Sequence, residues 1–290
     1  MTYRIIKIGK TAVSVAVCGL MASLPQMAFA DTLNRDTATS TTKAADANSV
    51  GVYFNNGNGW GDTPAYNVTI NLNSGVDLGG ETGIGSVPVA IYTFASGNDN
   101  YYFTNGAQTS TLNLQGNNQI TGLVGVHMDG VGGQVIDPLT QINLNGTDIT
   151  FNNAVFARQI SFTQGGLVQF YGAVGDVSAP TSVDYNGNNA TVTLHNGVIL
   201  SGNITNTAKN GTLIFTGSGE VTGSVATGNR VAGSGTAVES VEVRGNGSLV
   251  KIGTDLSTDK LDYQAASTVA VGRDLYLNAN TRSEERRVGK

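Results

Sequence analysis

From Val50 onward the chain repeats one kind of phrase, a short run of alternating apolar and small polar residues closed by Gly or Asn. Asn67-Val68-Thr69-Ile70-Asn71-Leu72-Asn73, Thr111-Leu112-Asn113-Leu114, Gln141-Ile142-Asn143-Leu144-Asn145 and Asp148-Ile149-Thr150-Phe151 are early examples. Ala190-Thr191-Val192-Thr193-Leu194, Gly211-Thr212-Leu213-Ile214-Phe215 and Ser248-Leu249-Val250-Lys251-Ile252 continue the style. A period of two sends successive side chains to opposite faces, which predicts strands. Beyond residue 30 no window offers an apolar stripe at helical spacing. Asn-Gly recurs at Asn56, Asn58, Asn105, Asn145, Asn186, Asn196, Asn210 and Asn246, where left-handed turn conformations cost little.

The fold class expected is therefore all-β, and two architectures compete. Asn-Gly is a strong hairpin signal, which suits an antiparallel β-sandwich. Many short, similar strands with uncharged polar residues suit instead a parallel β-helix, a solenoid whose coils cover one another. In such a stack, Asn side chains hydrogen-bond along a column while Val, Ile and Leu fill the interior. The solenoid accounts for both features and is the preferred reading. Strand starts near 141, 148, 160 and 167 crowd together while those near 241, 248 and 268 are uneven, so no single period emerges.

Both ends depart from this style. Arg4, Lys7 and Lys10 precede an apolar run from Thr11 to Leu24, and Ala28-Phe29-Ala30 follows. This is the pattern of a secretory signal peptide over residues 1–30, with Ala28 and Ala30 at the small-residue positions and cleavage expected before Asp31. The run is shorter than the roughly 20 residues of a membrane-spanning helix, which disfavours an uncleaved anchor. Cys18 lacks the small residue before it that lipoprotein processing wants. Residues 31–49 show no apolar periodicity and read as a flexible linker. Residues 282–290, Arg-Ser-Glu-Glu-Arg-Arg-Val-Gly-Lys, resemble the in-frame translation of a sequencing adapter, with a charged linker to a further domain as the alternative. The folded segment expected is thus 50–281.

Composition narrows the chemistry. Cys18 is the only cysteine, so the mature protein would have none, which excludes thiol nucleophiles, Cys-built zinc sites and redox motifs together. Charged residues make up 13% of the chain, about half the usual share, whereas the Gly content is about twice the usual one. Without the leader and the tail, 31–281 holds nine basic against nineteen acidic residues, a net charge near −10. No nucleic-acid partner is expected from that balance.

Two histidines bound the catalytic options. His195 closes a strand before the Asn196-Gly197 turn and reads as a solvated strand-end residue. His127 lies in Gly125-Val126-His127-Met128-Asp129-Gly130, with Asp137 beyond it. His127 and Asp129, two apart on a strand, would share a face suited to a metal or to a base with its orienting carboxylate, but no nucleophile in a recognised setting accompanies them. Asp255, Asp259 and Asp262 are the densest carboxylates. Their spacing of four and three is helical rather than strand-like, and they read as a solvated loop. Gly57-Asn58-Gly59-Trp60-Gly61-Asp62 has its glycines out of register for a calcium roll and does not repeat. Trp60 with Tyr53, Phe54 and Tyr66 reads as a cap over the first coil, with a sugar-stacking platform as the sharper alternative. No catalytic residue, cofactor or metal site is assigned.

The phrase from Asn210 to Val225, Asn-Gly-Thr-Leu-Ile-Phe-Thr-Gly-Ser-Gly-Glu-Val-Thr-Gly-Ser-Val, resembles the coils of autotransporter passengers, especially surface-antigen adhesins of the rickettsial type. Val241-Glu242-Val243, Leu249 to Ile252, Val269-Ala270-Val271 and Leu275 to Asn278 continue it. The resemblance implies a right-handed parallel β-helix displayed outside the cell at the outer membrane. It also implies attachment through a C-terminal β-barrel, which is missing from this sequence. A chain threaded unfolded through such a barrel would also do without disulfides. The function expected is that of an exported, non-enzymatic passenger fragment binding a protein or glycan on a host or neighbouring cell. A secreted β-helical carbohydrate-active enzyme and a purely structural stalk are the alternatives.

Overall fold

The computed structural model describes residues 110–128, 134–226, 237–263 and 266–277, together with short pieces at 31–32, 41–42, 52–53, 68–72, 74–78 and 89–94. Among these residues there are strands and turns and no helix. The expected runs become strands at Val68–Leu72, Ser110–Ile120, Thr191–Leu194, Asn210–Phe215 and Leu249–Ile252. Gln141 and Asp148, read as two starts, belong to one strand of 13 residues, Leu139–Phe151. Its pairing with Ser110–Ile120 shifts register between Asn145 and Asp148.

That long strand divides the sheet. Its first half pairs with Ala157–Phe162 and its second half with Leu167–Phe170, both in parallel. From there, registered apolar residues run in columns. One ladder aligns Leu112, Ile142, Ile160, Val183 and Ile204, and continues through Val225 and Leu256 to Leu275. A second aligns Ile149, Val168, Val192, Leu213, Val241 and Leu261. A third aligns Val124, Val155, Val174 and Leu200, then Val221, Ile252 and Val271. The chain visits these ladders in a fixed order: Val183, Val192, Leu200, then Ile204, Leu213, Val221, then Val225, Val241, Ile252. Each pass covers the one before it, so one apolar cluster extends from Leu72 to Leu256 with its side chains almost wholly excluded from solvent. Phe151 stacks on Phe170 at 5.3 Å and Phe162 on Tyr185 at 5.6 Å, aromatic faces repeating from one pass to the next.

The uneven spacing now has its reason. In-register partners lie 18 residues apart at Ile142 and Ile160, 21 at Val183 and Ile204, and 31 at Val225 and Leu256. The turns absorb the differences, which parallel register tolerates as long as each strand returns to its column.

The antiparallel sandwich is overturned. Among the described residues one strand pair is antiparallel, Leu123–Met128 with Gln134–Ile136, and all others are parallel. Asn186-Gly187, with φ of 48° and 73°, does not close a hairpin. It joins Thr181–Asp184 to Thr191–Leu194, which belong to different ladders and do not pair with each other. The left-handed conformation that Asn-Gly favours serves here to turn a corner. The expected asparagine column is present: Asn143 donates to Asn113 at 2.8 Å and Asn113 to Asn71 at 2.6 Å, each amide giving to the preceding pass.

Candidate functional site

On the outer side of the second ladder, Asp148, Gln169, Tyr171, His195 and Thr216 interact across successive passes. Strands Leu167–Phe170 and Thr191–Leu194 are in register, so the residues that follow them, Tyr171 and His195, meet on consecutive passes. Their backbones stay in the ladder, with Tyr171 N–H donating to Phe151 O and His195 N–H to Phe170 O. The two rings stack at 3.6 Å between centroids, 13° from parallel. Half of Tyr171 remains exposed, at 50%.

The hydrogen bonds around His195 settle its tautomer. Gln169 Nε2 faces Asp148 Oδ1 at 3.4 Å; a carboxylate oxygen accepts, so this contact orients the Gln169 amide. Gln169 Oε1 then faces His195 Nε2 at 3.2 Å and must accept, which places the ring proton on Nε2. His195 Nδ1 is left to accept from the Thr216 hydroxyl at 3.4 Å. Burial lowers the imidazole pKa from its usual 6.5, so the neutral ring is the resting form. His195 stands at the strand end as expected and stays partly exposed, and the structure adds that its ring is stacked and bonded at both nitrogens. The hydroxyl-to-imidazole contact has the order of a nucleophile and its base, but the distal partner is an amide where a carboxylate would stabilise an imidazolium. The arrangement holds a neutral ring in place.

The pH dependence follows from that. The unfolded chain takes up the His195 proton more readily than the folded one, so this residue leaves stability unchanged above about pH 6.5 and reduces it as pH falls from there toward the lowered native value. Thermal melts from pH 7.5 down to about 5, a window that begins above the usual histidine value and runs below it, should show that decline. His195→Gln should flatten it; an identical slope in the variant would remove the assignment.

The carboxylate trio is corrected. Asp255 is buried, and Arg273 grips it from Nε to Oδ1 at 2.7 Å and from a terminal nitrogen to Oδ2, with Asp274 N–H at 3.3 Å as a further donor. The guanidinium holds the Asp255 carboxyl below the usual carboxylate range. Asp259 and Asp262 lie in the strand Leu256–Tyr263, where Asp262 accepts from Lys260 at 2.8 Å. The helical spacing misled because the turn ends at Asp255 and a strand begins directly after it.

The backbone of His127 pairs antiparallel with Val135, and Asp137 N–H donates to Gly125 O at 3.0 Å. The His127 ring and all of Asp129 lie outside the described residues, as do Ala28, Ala30, the whole of 1–30, Trp60, Phe54 and Tyr66. Asp31 begins a two-residue parallel pairing with Val52 and Tyr53. Among the described residues no three His, Cys, Asp or Glu side chains gather as a metal site.

Comparison with family models, curated proteins and solved structures finds no match. The reading of this surface thus rests on its own geometry. Sequence reasoning missed the pairing of Tyr171 with His195. The available signal was that both residues directly follow an apolar strand end, Phe170 and Leu194, but only the register makes those ends neighbours.

Proposed function

We propose that this protein is an exported, non-enzymatic binding protein, the passenger segment of an autotransporter-like adhesin built as a right-handed parallel β-helix. The observation that carries the reading is the cyclic order in which the chain visits three parallel ladders, since a coil that returns to the same three columns generates long lateral faces rather than a pocket. The leader-like first thirty residues and the cysteine-free remainder support export. Stacked and amide-bonded outer side chains such as Tyr171, His195 and Asn143 support recognition spread along a face. The ligand would be a protein or glycan on another cell, and attachment to the outer membrane would need a β-barrel encoded beyond these residues.

Expression with the leader in a Gram-negative bacterium should give a mature chain beginning at Asp31. The purified segment 31–281 should bind cells with an affinity that does not depend on any single carboxylate. Turnover of an acidic polysaccharide, abolished by changing Asp129 or Asp137, would replace this reading with that of a carbohydrate-active enzyme. Correct export with no cell binding at all would leave a structural stalk.

A further inference from the structure

Five Asn-Gly pairs lie within the described residues, and the fold treats one of them differently. Asn145-Gly146 sits inside the long strand, with Gly146 buried. The Asn210 amide donates to Gly187 O, and Gly211 lies so close to the Tyr185 ring that a Cβ would be 2.6 Å from it. Asn196 and Asn246 are exposed, but the backbone N–H of the glycine after each is taken by the following pass. Gly197 donates to Ser218 O at 2.7 Å and Gly247 to Ala266 O at 2.5 Å. Asn196 Oδ1 is held as well, accepting from Ser218 N–H at 3.0 Å. At Asn186-Gly187 the Asn side chain is exposed, and the Gly187 N–H has no acceptor among the described residues. Asn186 and Gly187 are the central residues of a turn that closes through Asn188 N–H to Tyr185 O at 2.8 Å, a bond that does not use the N–H between them. The Asn196 turn closes in the same way, Val198 N–H to His195 O at 3.0 Å, so the difference comes from what the next pass offers.

We infer that Asn186 is a site of spontaneous deamidation, a self-modification that the fold permits here and suppresses at the other four pairs. The attacking group is the backbone nitrogen of the next residue, so a hydrogen bond on that N–H must open before the reaction can begin. Glycine at that position puts no side chain in the way. The Gly187 nitrogen loses its proton to solvent base and bonds to Asn186 Cγ, the Cγ–Nδ2 bond breaks, and the side-chain nitrogen leaves as ammonia. Water then opens the cyclic imide. Cleavage of the new N–Cγ bond leaves aspartate, whereas cleavage of the bond from that nitrogen to the Asn186 carbonyl carbon leaves isoaspartate. Nothing is oxidised or reduced, and water is the only co-reactant. Either product adds a carboxylate beside Asp184, whose Oδ1 accepts from Asn186 N–H at 2.9 Å. Isoaspartate also lengthens the main chain by one carbon within the turn that joins Thr181–Asp184 to Thr191–Leu194. The bond from Asn188 N–H to Tyr185 O then loses its geometry, while the strands on either side keep their registers.

The test is peptide mapping by mass spectrometry on the purified chain, incubated in mildly alkaline buffer both folded and unfolded in urea. Heavy-oxygen water marks the sites that hydrolyse during the incubation, and enzymatic methylation of isoaspartate separates the two products. In the folded chain Asn186 should convert at least about fivefold faster than Asn145, Asn196, Asn210 or Asn246. Each of those sites must first open native contacts, and one backbone hydrogen bond alone is worth about that factor. In urea the five rates should converge, because the glycine that follows is common to all and the native hydrogen bonds are gone. Conversion at Asn196 or Asn246 as fast as at Asn186 in the folded chain overturns the proposal, since a bound N–H would then give no protection. An Asn186 that stays intact when folded yet converts in urea overturns it too, and would mean that the turn itself withholds the nitrogen. The same ranking and spread in urea would also sink it, by assigning the difference to flanking residues rather than to the fold.

Discussion

Phe170→Ala is expected to lower the free energy of unfolding by about 3–5 kcal/mol, the cost of an aromatic cavity that the surroundings cannot refill. Phe170 is fully buried, lies flat against Phe151, and sits in a column where Ile120, Phe151, Leu194, Phe215 and Val243 occupy the same register position on other passes. Backbone hydrogen bonds hold the strands of that column in place, so neighbouring passes cannot close over the void. Urea unfolding followed by far-ultraviolet circular dichroism gives the number, with Phe170→Leu expected to cost about 1.5 kcal/mol or less as a better volume match. Each pass contacts mainly its neighbours, so the loss should also lower the cooperativity of unfolding. A cost below about 1 kcal/mol for the alanine variant, well under the usual range for a buried aromatic, would mean that neighbouring passes do close over the void.

Gly202→Val should be at least as damaging, for a different reason. Gly202 has φ 146°, and a Cβ there would lie 1.9 Å from Thr181 O and 2.7 Å from Thr181 C. Those atoms belong to the backbone of the preceding pass, so no rotamer change relieves the overlap. Separation would stretch the ladder in which Thr181 N–H donates to Ser201 O and Gly223 N–H to Gly202 O, both at 2.8 Å. Strain and overpacking at such a site are each of order 1–3 kcal/mol, and together they are expected to prevent folding at 37 °C. Gly197→Ala is the matched control: φ is +84° but nothing lies within 4 Å of the added carbon, so about 1–2 kcal/mol of conformational strain is expected and no more. Equal melting temperatures for the two variants would show that the close approach at Gly202 contributes nothing.

The candidate surface was partly legible. Sequence reasoning picked out both histidines because the chain has two, and it placed His195 correctly at a strand end before a turn. It had no means of seeing that Tyr171, 24 residues earlier, lies one pass below. The Asp255 group failed differently. A spacing of four and three between carboxylates carries the same signal whether a helix or a turn followed by a strand lies beneath it, and the partner that fixes Asp255, Arg273, arrives from the next pass.

Strand and turn content could be read from residues 50–281 alone because it is local. Period-two alternation sets which side chains face together, and Asn-Gly sets where the backbone can enter left-handed conformations; neither needs a distant partner. The stacked asparagines were foreseeable on the same basis, since equal side chains at equal phase must meet if strands stack in register. Tertiary structure decided the rest: parallel against antiparallel pairing, the fusion of 139–151 into one strand, the cyclic order of the ladders, and the stacking of Tyr171 on His195. Those depend on register between strands 18 to 42 residues apart. Turns can change length without moving a column, so the core selects a register that no fixed interval in the sequence announces.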